Sequence, residues 1–324
     1  MEQLLARRKS AMKQPSGIGS VGGRLNFFDV VWLWRSSGFM FDDAAWVDSM
    51  KLRTRFMLGA VRHRAAVVPF LRSSGALARA LAQRPQLLGV VVWPYQCLSW
   101  EAPTRLQRIR EHWLAVETEV PLLNFPPNDA IDLIQLNDLM PGLRLVLDQS
   151  MWFMREGQLV LNLFIAETRV FSLAFSLRKS EVLTAYLGAI QGRSIEGALE
   201  IYRDMTHAMS GMRPRDFLVE LFRMLCASIG VKTILAVSDA SRHHRHPYFG
   251  NKFNESTALN YDEIWRERGG SVVDEDFFSL PIDAQRRSLE SISSKKRSMY
   301  RARYENLARI ETELNTRLKT QSVS

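Results

Sequence analysis

The stretch Ser210-Gly211-Met212-Arg213-Pro214-Arg215-Asp216 holds the ingredients of an anion site. Gly211 has backbone freedom, and Pro214 suits the first position of a helix. A helix N-terminus offers unpaired N–H groups and partial positive charge, so a phosphate could dock there with Arg213 and Arg215 adding charge-assisted bonds. The plainer reading has Asp216 complementing the helix dipole while both arginines face water. A second stretch, "YLGAIQGR", ends a strand in Gln191-Gly192-Arg193 just before a helix. An amide at the C-terminal end of a strand can face a cleft, and glycine lets a ligand approach the backbone; an ordinary strand-to-helix turn explains the same residues. A third, "SSKKRSMYRARYENL" (293–307), gathers Lys295, Lys296, Arg297, Arg301 and Arg303 among tyrosines. It reads as a solvated helix face, as an anchor for an anionic ligand or lipid surface, or as a nucleic-acid contact. No recognised nucleic-acid reading element accompanies it, so nucleic acid is the weakest of the three.

Other chemistry is sparse. His243, His244 and His246 have no nearby carboxylate or cysteine to complete a metal set, so no metal is expected and a solvated, pH-responsive loop is the better reading. His207 reads as a core or boundary residue rather than a base. No Walker loop, GxSxG elbow, HExxH or complete GxGxxG occurs. The two cysteines, Cys97 and Cys226, read as buried thiols of a reducing compartment.

These residues need elements to hold them. A hydrophobic fraction of 46% in 324 residues supports a sizeable core and excludes global disorder. The segments 143–149, 158–166, 169–177 and 182–190 are β-rich and closely spaced, which predicts an antiparallel meander. Helical periodicity follows over 195–209, then a helix from Pro214 that stops at Gly230, then a buried strand in "VKTILAVSD". A last helix over about 285–318 carries Tyr300, Tyr304, Leu307, Ile310, Leu314 and Leu318 on one stripe. The N-terminal part reads as basic helices, with Asp42 or Asp43 as a cap and the basic amphipathic run 43–64. The expected organisation is a flexible 1–23, a helical 24–115, an α+β core over 116–284 with a mostly antiparallel sheet, and a basic C-terminal helix in 285–324.

Charge is placed unevenly. Residues 1–85 hold 14 Lys+Arg against 5 Asp+Glu, residues 86–285 hold 19 against 25, and residues 286–324 hold 10 against 4. Basic ends around an acidic centre point to an anionic partner, or to pairing within the chain. No apolar run approaches the roughly 20 residues of a spanning helix, and the basic N-terminus lacks a signal-peptide core, so a cytoplasmic chain, peripheral to the inner membrane at most, is expected.

The motifs "YLGAIQGR", "DMTHAMSGMRPRDFLVELF", "IGVKTILAVSD", "NYDEIWRERGG", "FFSLP" and "SKKRSMYRARYENL" occur in that order. The series resembles the VirK/YbjX family of Gram-negative bacterial proteins over about residues 105–318, with His112-Trp113 where that family has His-Tyr. The resemblance implies a role in the cell envelope and virulence: display of surface proteins, tolerance of antimicrobial peptides, and envelope machinery as partner. It also implies that Gln191, Gly192, Arg213, Pro214, Lys295, Lys296 and Arg297 belong to shared motifs. The order of meander, helix with an anion-ready N-terminus and buried strand is similar to GNAT-type acyltransferases. That likeness implies an acyl-CoA donor, its diphosphate held by Gly211, Arg213, Arg215 and the 295–297 cluster, with Gln191 and Gly192 near the reacting end. His207, Glu200 and Tyr186 are the available bases. The alternatives are an accessory protein docking on the membrane through residues 43–64, and nucleic-acid binding.

Overall fold

Five consecutive strands form because residues 130–192 are apolar runs, rich in Val, Ile, Leu and Phe, separated by short turns. They are β1 (Ala130–Gln135), β2 (Leu143–Asp148), β3 (Leu159–Ile165), β4 (Thr168–Lys179) and β5 (Leu183–Gly192). Each pairs antiparallel with the next, which is the expected meander, with one strand more at its edge. The computed structural model describes residues 24–41, 46–250, 260–284 and 286–321. Residues 1–23, expected to be flexible, and the candidate caps Asp42 and Asp43 lie outside them.

After β5 the chain crosses over through α6 (Ala198–Ala208) and α7 (Pro214–Ser228) to β6 (Thr233–Val237), which pairs parallel with β5. A parallel neighbour demands such a crossover. Helix α7 therefore runs antiparallel to β5, and its N-terminus lies at the end of the sheet where β5 finishes. Pro214 opens α7 and Gly230, at φ 80°, follows its last turn, as the sequence predicts. Its Phe222 packs edge-on against Phe175 of β4, with ring centroids 4.9 Å apart. β6 is flanked on its other side by β8 (Phe277–Leu280), which carries the two-residue β7 (Ser271–Val272). The sheet order is β1-β2-β3-β4-β5-β6-β8-β7, and β5–β6 is its one parallel pair. The fold is α+β around a mostly antiparallel sheet.

The C-terminal helix α9 (Ser294–Gln321) begins later than the sequence suggests, because Leu289–Ser291 forms a separate turn capped by Ser288. Its Leu307, Ile310, Leu314 and Leu318 are buried, while Tyr300 and Tyr304 are half-buried. It runs alongside α7 in the same direction. Met299 and Arg303 meet the turn before α7, and Asn315 accepts a bond from Ser228 Oγ (2.6 Å) at its end.

Among the described residues, five α-helices form the N-terminal part: α1 (Phe27–Met40), α2 (Trp46–Arg62), α3 (Arg64–Leu71), α4 (Gly75–Gln83) and α5 (Ala102–Thr118). Asn26 caps α1 in a reciprocal box with Asp29, whose buried carboxylate also takes a two-pronged ion pair from Arg72 (2.6 and 2.7 Å). Helix α5 reaches the sheet through His112, whose Nδ1 accepts from Leu177 N–H at 3.0 Å. One apolar core runs from Trp32 in α1 to Leu318 in α9. Cys97 and Cys226 are both buried free thiols. No helix among the described residues is long and apolar enough to cross a membrane.

Candidate functional site

The site starts from a defect in the sheet. β5 and β6 pair only from Thr184 to Leu187 and from Thr233 to Ala236, yet β5 continues to Gly192 along β4. Past Leu187 the two strands diverge. The change coincides with a bulge: Ala174 pairs Ala189 and Phe175 pairs Leu187, so Gly188 has no partner of its own. A Cβ at Gly188 would lie 1.9 Å from the Glu156 carbonyl oxygen, so only glycine fits there.

Beyond the bulge, the β5 edge facing the gap must satisfy its backbone groups without a strand. A side chain does this. The Tyr261 hydroxyl accepts from Ile190 N–H (2.9 Å) and donates to the Ile190 carbonyl (3.1 Å). On the other wall, Trp265 Nε1 donates to the Val237 carbonyl (2.8 Å). Both residues come from α8 (Tyr261–Glu267), capped by Asn260, and both are fully buried. The Arg242 guanidinium stacks over the Tyr261 ring at 3.7 Å and pairs with Asp239 at 3.2 Å.

Glu156, in the turn before β3, lies beside this gap. Its Oε1 stands 3.3 Å from His243 Nε2, and its Oε2 is buried without a hydrogen-bond partner among the described residues. Burial pushes the Glu156 carboxyl up to about 7, opposed in part by Arg155 and Arg242. Burial, and then the neighbouring His244, Arg155 and Arg242, hold the His243 imidazole well below its ordinary value. Burial likewise raises the Tyr261 phenol. At neutral pH the cluster thus holds a neutral imidazole, an intact phenol and a carboxyl close to half-protonated. Such a carboxyl can take a proton and return it, which is what acid–base chemistry asks of a residue.

Of the residues singled out in the sequence, Gln191 and Gly192 end β5, while the turn before α7 packs against the first turns of α9. Gln191, half-buried at the end of β5, lies across from Ser172, whose hydroxyl donates to the buried Asn162 Oδ1 at 2.7 Å. Gly192 makes room for Tyr202, whose hydroxyl would lie 2.5 Å from a Cβ there and donates to the Val170 and Arg193 carbonyls. Arg213 is the exposed residue preceding α7. Arg215 is bound by Asp216 (3.0 Å) and by Glu267 (2.7 Å). Gly211, at φ 76°, is exposed, but α9 takes the space a side chain would need: a Cβ would meet Met299 Sδ at 2.9 Å, and Arg303 donates to the adjacent Ser210 carbonyl. Lys295 and Lys296 are exposed on the first turn of α9, and Arg297 is turned back onto the Ile292 carbonyl (2.9 Å).

Two sequence expectations need correction. His243 is buried against Phe249 and Glu156, not solvated, because the segment after β6 folds back over the sheet. His207 is exposed on α6 rather than in the core, as is Glu200. The third candidate base, Tyr186, is wedged between Trp100 and Phe277. Glu156 was missed because "REG" reads as a turn. Its one local signal is an acid beside a glycine, and the structure shows why glycine stands there: a Cβ at Gly157 would lie 2.5 Å from Phe175 N. No group of His, Cys, Asp and Glu among the described residues has metal-binding geometry.

Comparison with known proteins supplies the family. The family described as "Protein of unknown function (DUF535)" matches residues 46–316, and the chain belongs to it. An uncharacterized protein of Haemophilus influenzae is 33% identical over 180 residues, 54% of this chain and 57% of that protein. A second from the same organism is 29% identical over 175 residues, 53% and 56% of the two chains. The uncharacterized protein YbjX of Escherichia coli is 29% identical over 133 residues, 41% of this chain and 40% of its own, in keeping with the VirK/YbjX resemblance. The chain spans about half the length of the curated relatives it matches. No solved structure matches it.

Proposed function

Taking membership of this family as the premise, we propose that the protein is an acyltransferase working where β5 and β6 diverge. The observation that carries this reading is the Ile190 backbone, whose N–H and C=O face the gap and are held by one side-chain hydroxyl. An extended, amide-bearing thioester would take over those two bonds once Tyr261 yields them. The acceptor amine or hydroxyl attacks the thioester carbonyl, Glu156 takes the proton that nucleophile loses, the C–S bond breaks, and the thiol leaves with a proton returned from the site. The sheet order, with a bulged strand next to its one parallel pair, supports the GNAT-like reading.

The donor's diphosphate, in this reading, meets the N-terminus of α7, Arg213, and Lys295 and Lys296 of α9. Arg215 and Arg297 are already engaged by protein groups, and the open side of Gly211 is filled. The turn therefore fits a diphosphate lying on its surface rather than one cradled within it. Gln191 and Gly192, on the β5 end, belong to the reacting side. The VirK/YbjX resemblance supports an envelope component or a protein amine as acceptor, and through it a role in envelope homeostasis and virulence. A thermal-shift panel of CoA, acetyl-CoA, long-chain acyl-CoA, ATP and pyrophosphate tests the donor. Stabilisation by CoA species that is lost in Arg213→Ala is expected; a flat panel on folded protein would overturn the CoA assignment.

A further inference from the structure

Helix α1, FFDVVWLWRSSGFM, is mostly apolar and spreads its large apolar residues over every side, and such a helix is ordinarily buried on most of its surface. Here just one side is. Asp29, Trp32, Leu33, Ser36 and Ser37 face the core, while Phe27 is 75% exposed and Phe28 72%. Val30, Trp34 and Phe39 continue the bare side along the helix. The helix is not loosely attached. Its buried Asp29 is clamped by Arg72, and Arg53 of α2 donates to Ser37 Oγ (3.0 Å) and lies 4.2 Å over the Trp34 ring.

That last contact sets α2 beside α1, and the outer side of α2, turned away from Arg53, carries Leu58 (67% exposed) and Val61 among Lys51, Arg55 and Arg62. Residues 46–64 hold five Lys+Arg against one acid, Asp48, which faces Lys51 at 3.5 Å. Arg35, Arg55 and Arg62 are exposed and make no ion pair with any described residue. Large exposed aromatics on one helix and exposed arginines without ion pairs on its neighbour are the composition of a segment that lies in a bilayer interface, aromatic rings at headgroup depth and cations against anionic lipid.

We propose that the joint face of α1 and α2 docks on an anionic lipid bilayer, with Phe27 and Phe28 entering the interface and Arg55 and Arg62 meeting lipid phosphates. This does not depend on acyl transfer: the face comes from the N-terminal helices, and none of its residues belongs to the β5–β6 site. A docked chain would work on substrates held at a membrane surface.

The test is sedimentation of the full chain with vesicles of phosphatidylcholine containing a minor fraction of phosphatidylglycerol, and with phosphatidylcholine alone. Binding is expected on the anionic vesicles and should weaken as salt is raised. Phe27→Ser/Phe28→Ser and Arg55→Glu/Arg62→Glu should each weaken it about tenfold or more. All four positions are exposed, so both variants should keep the wild-type thermal unfolding, checked in parallel. Absence of binding, equal binding to neutral vesicles, or indifference to both pairs of substitutions would overturn the proposal. So would a dimer in solution that the Phe27/Phe28 variant dissociates, since that assigns the face to a second copy.

Discussion

Glu156 is a carboxyl that the fold keeps close to neutral pH. Raised from 4.5 to about 7, it binds its proton more tightly folded than unfolded. The stability linked to it is therefore whole below pH 4.5 and is lost as pH rises through about 7. Glu156→Gln, which mimics the protonated form, should leave stability nearly unchanged at about pH 4 and raise it at about pH 8, by up to about 3 kcal/mol. Urea unfolding of both proteins at the two pH values reads the difference directly. An equal effect at both would mean that the carboxyl does not titrate in this range. His243 belongs to the same unit: held neutral by burial, it leaves Glu156 as the group that changes charge.

At the scale of elements, the divergence of β5 from β6 rests on a glycine and a tyrosine. Gly188→Ala places a methyl group on the Glu156 carbonyl, a backbone atom that cannot step aside, and should cost about 2–3 kcal/mol. Tyr261→Phe leaves Ile190 N–H and C=O buried without partners and should cost about 1–3 kcal/mol. Denaturant midpoints measure both, and a neutral Tyr261→Phe would mean that water fills the gap as readily as the hydroxyl. The strands β2 to β5 were legible because their apolar runs and the turns between them are local, and α7 because Pro214 and Gly230 mark its ends. β7 and β8 were not. Ser271–Val272 is exposed and two residues long, and it becomes a strand because Phe277–Leu280 lies along the β6 edge. A pairing of that kind leaves no period in the sequence.

The described residues form a main apolar core covered by helices, with a small second cluster of Phe153, Val160, Ala174 and Ala189, the candidate site at one end of the sheet and a bare aromatic face on α1. The candidate phosphate residues were legible because each sits in a short motif of unusual composition. The cluster of Glu156, His243 and Tyr261 was not, since these residues come from three distant segments that meet through the crossover and the fold-back after β6. Their chemistry lies in burial, which composition does not record. The imbalance of charge is plain in the sequence, but the exposure of the aromatics on α1 is not, because Phe and Trp at helical spacing ordinarily mark a core. The most direct measurement is thiol release from acyl-CoA in the presence of a primary amine, followed against pH in the wild type and in Glu156→Gln. Release should require the amine, rise with pH through about 7, and fall about 10²–10³-fold in the variant while the thioester still binds. Folded wild-type protein that binds the thioester without releasing thiol, or release indifferent to the Glu156 substitution, would contradict acyl transfer at this site.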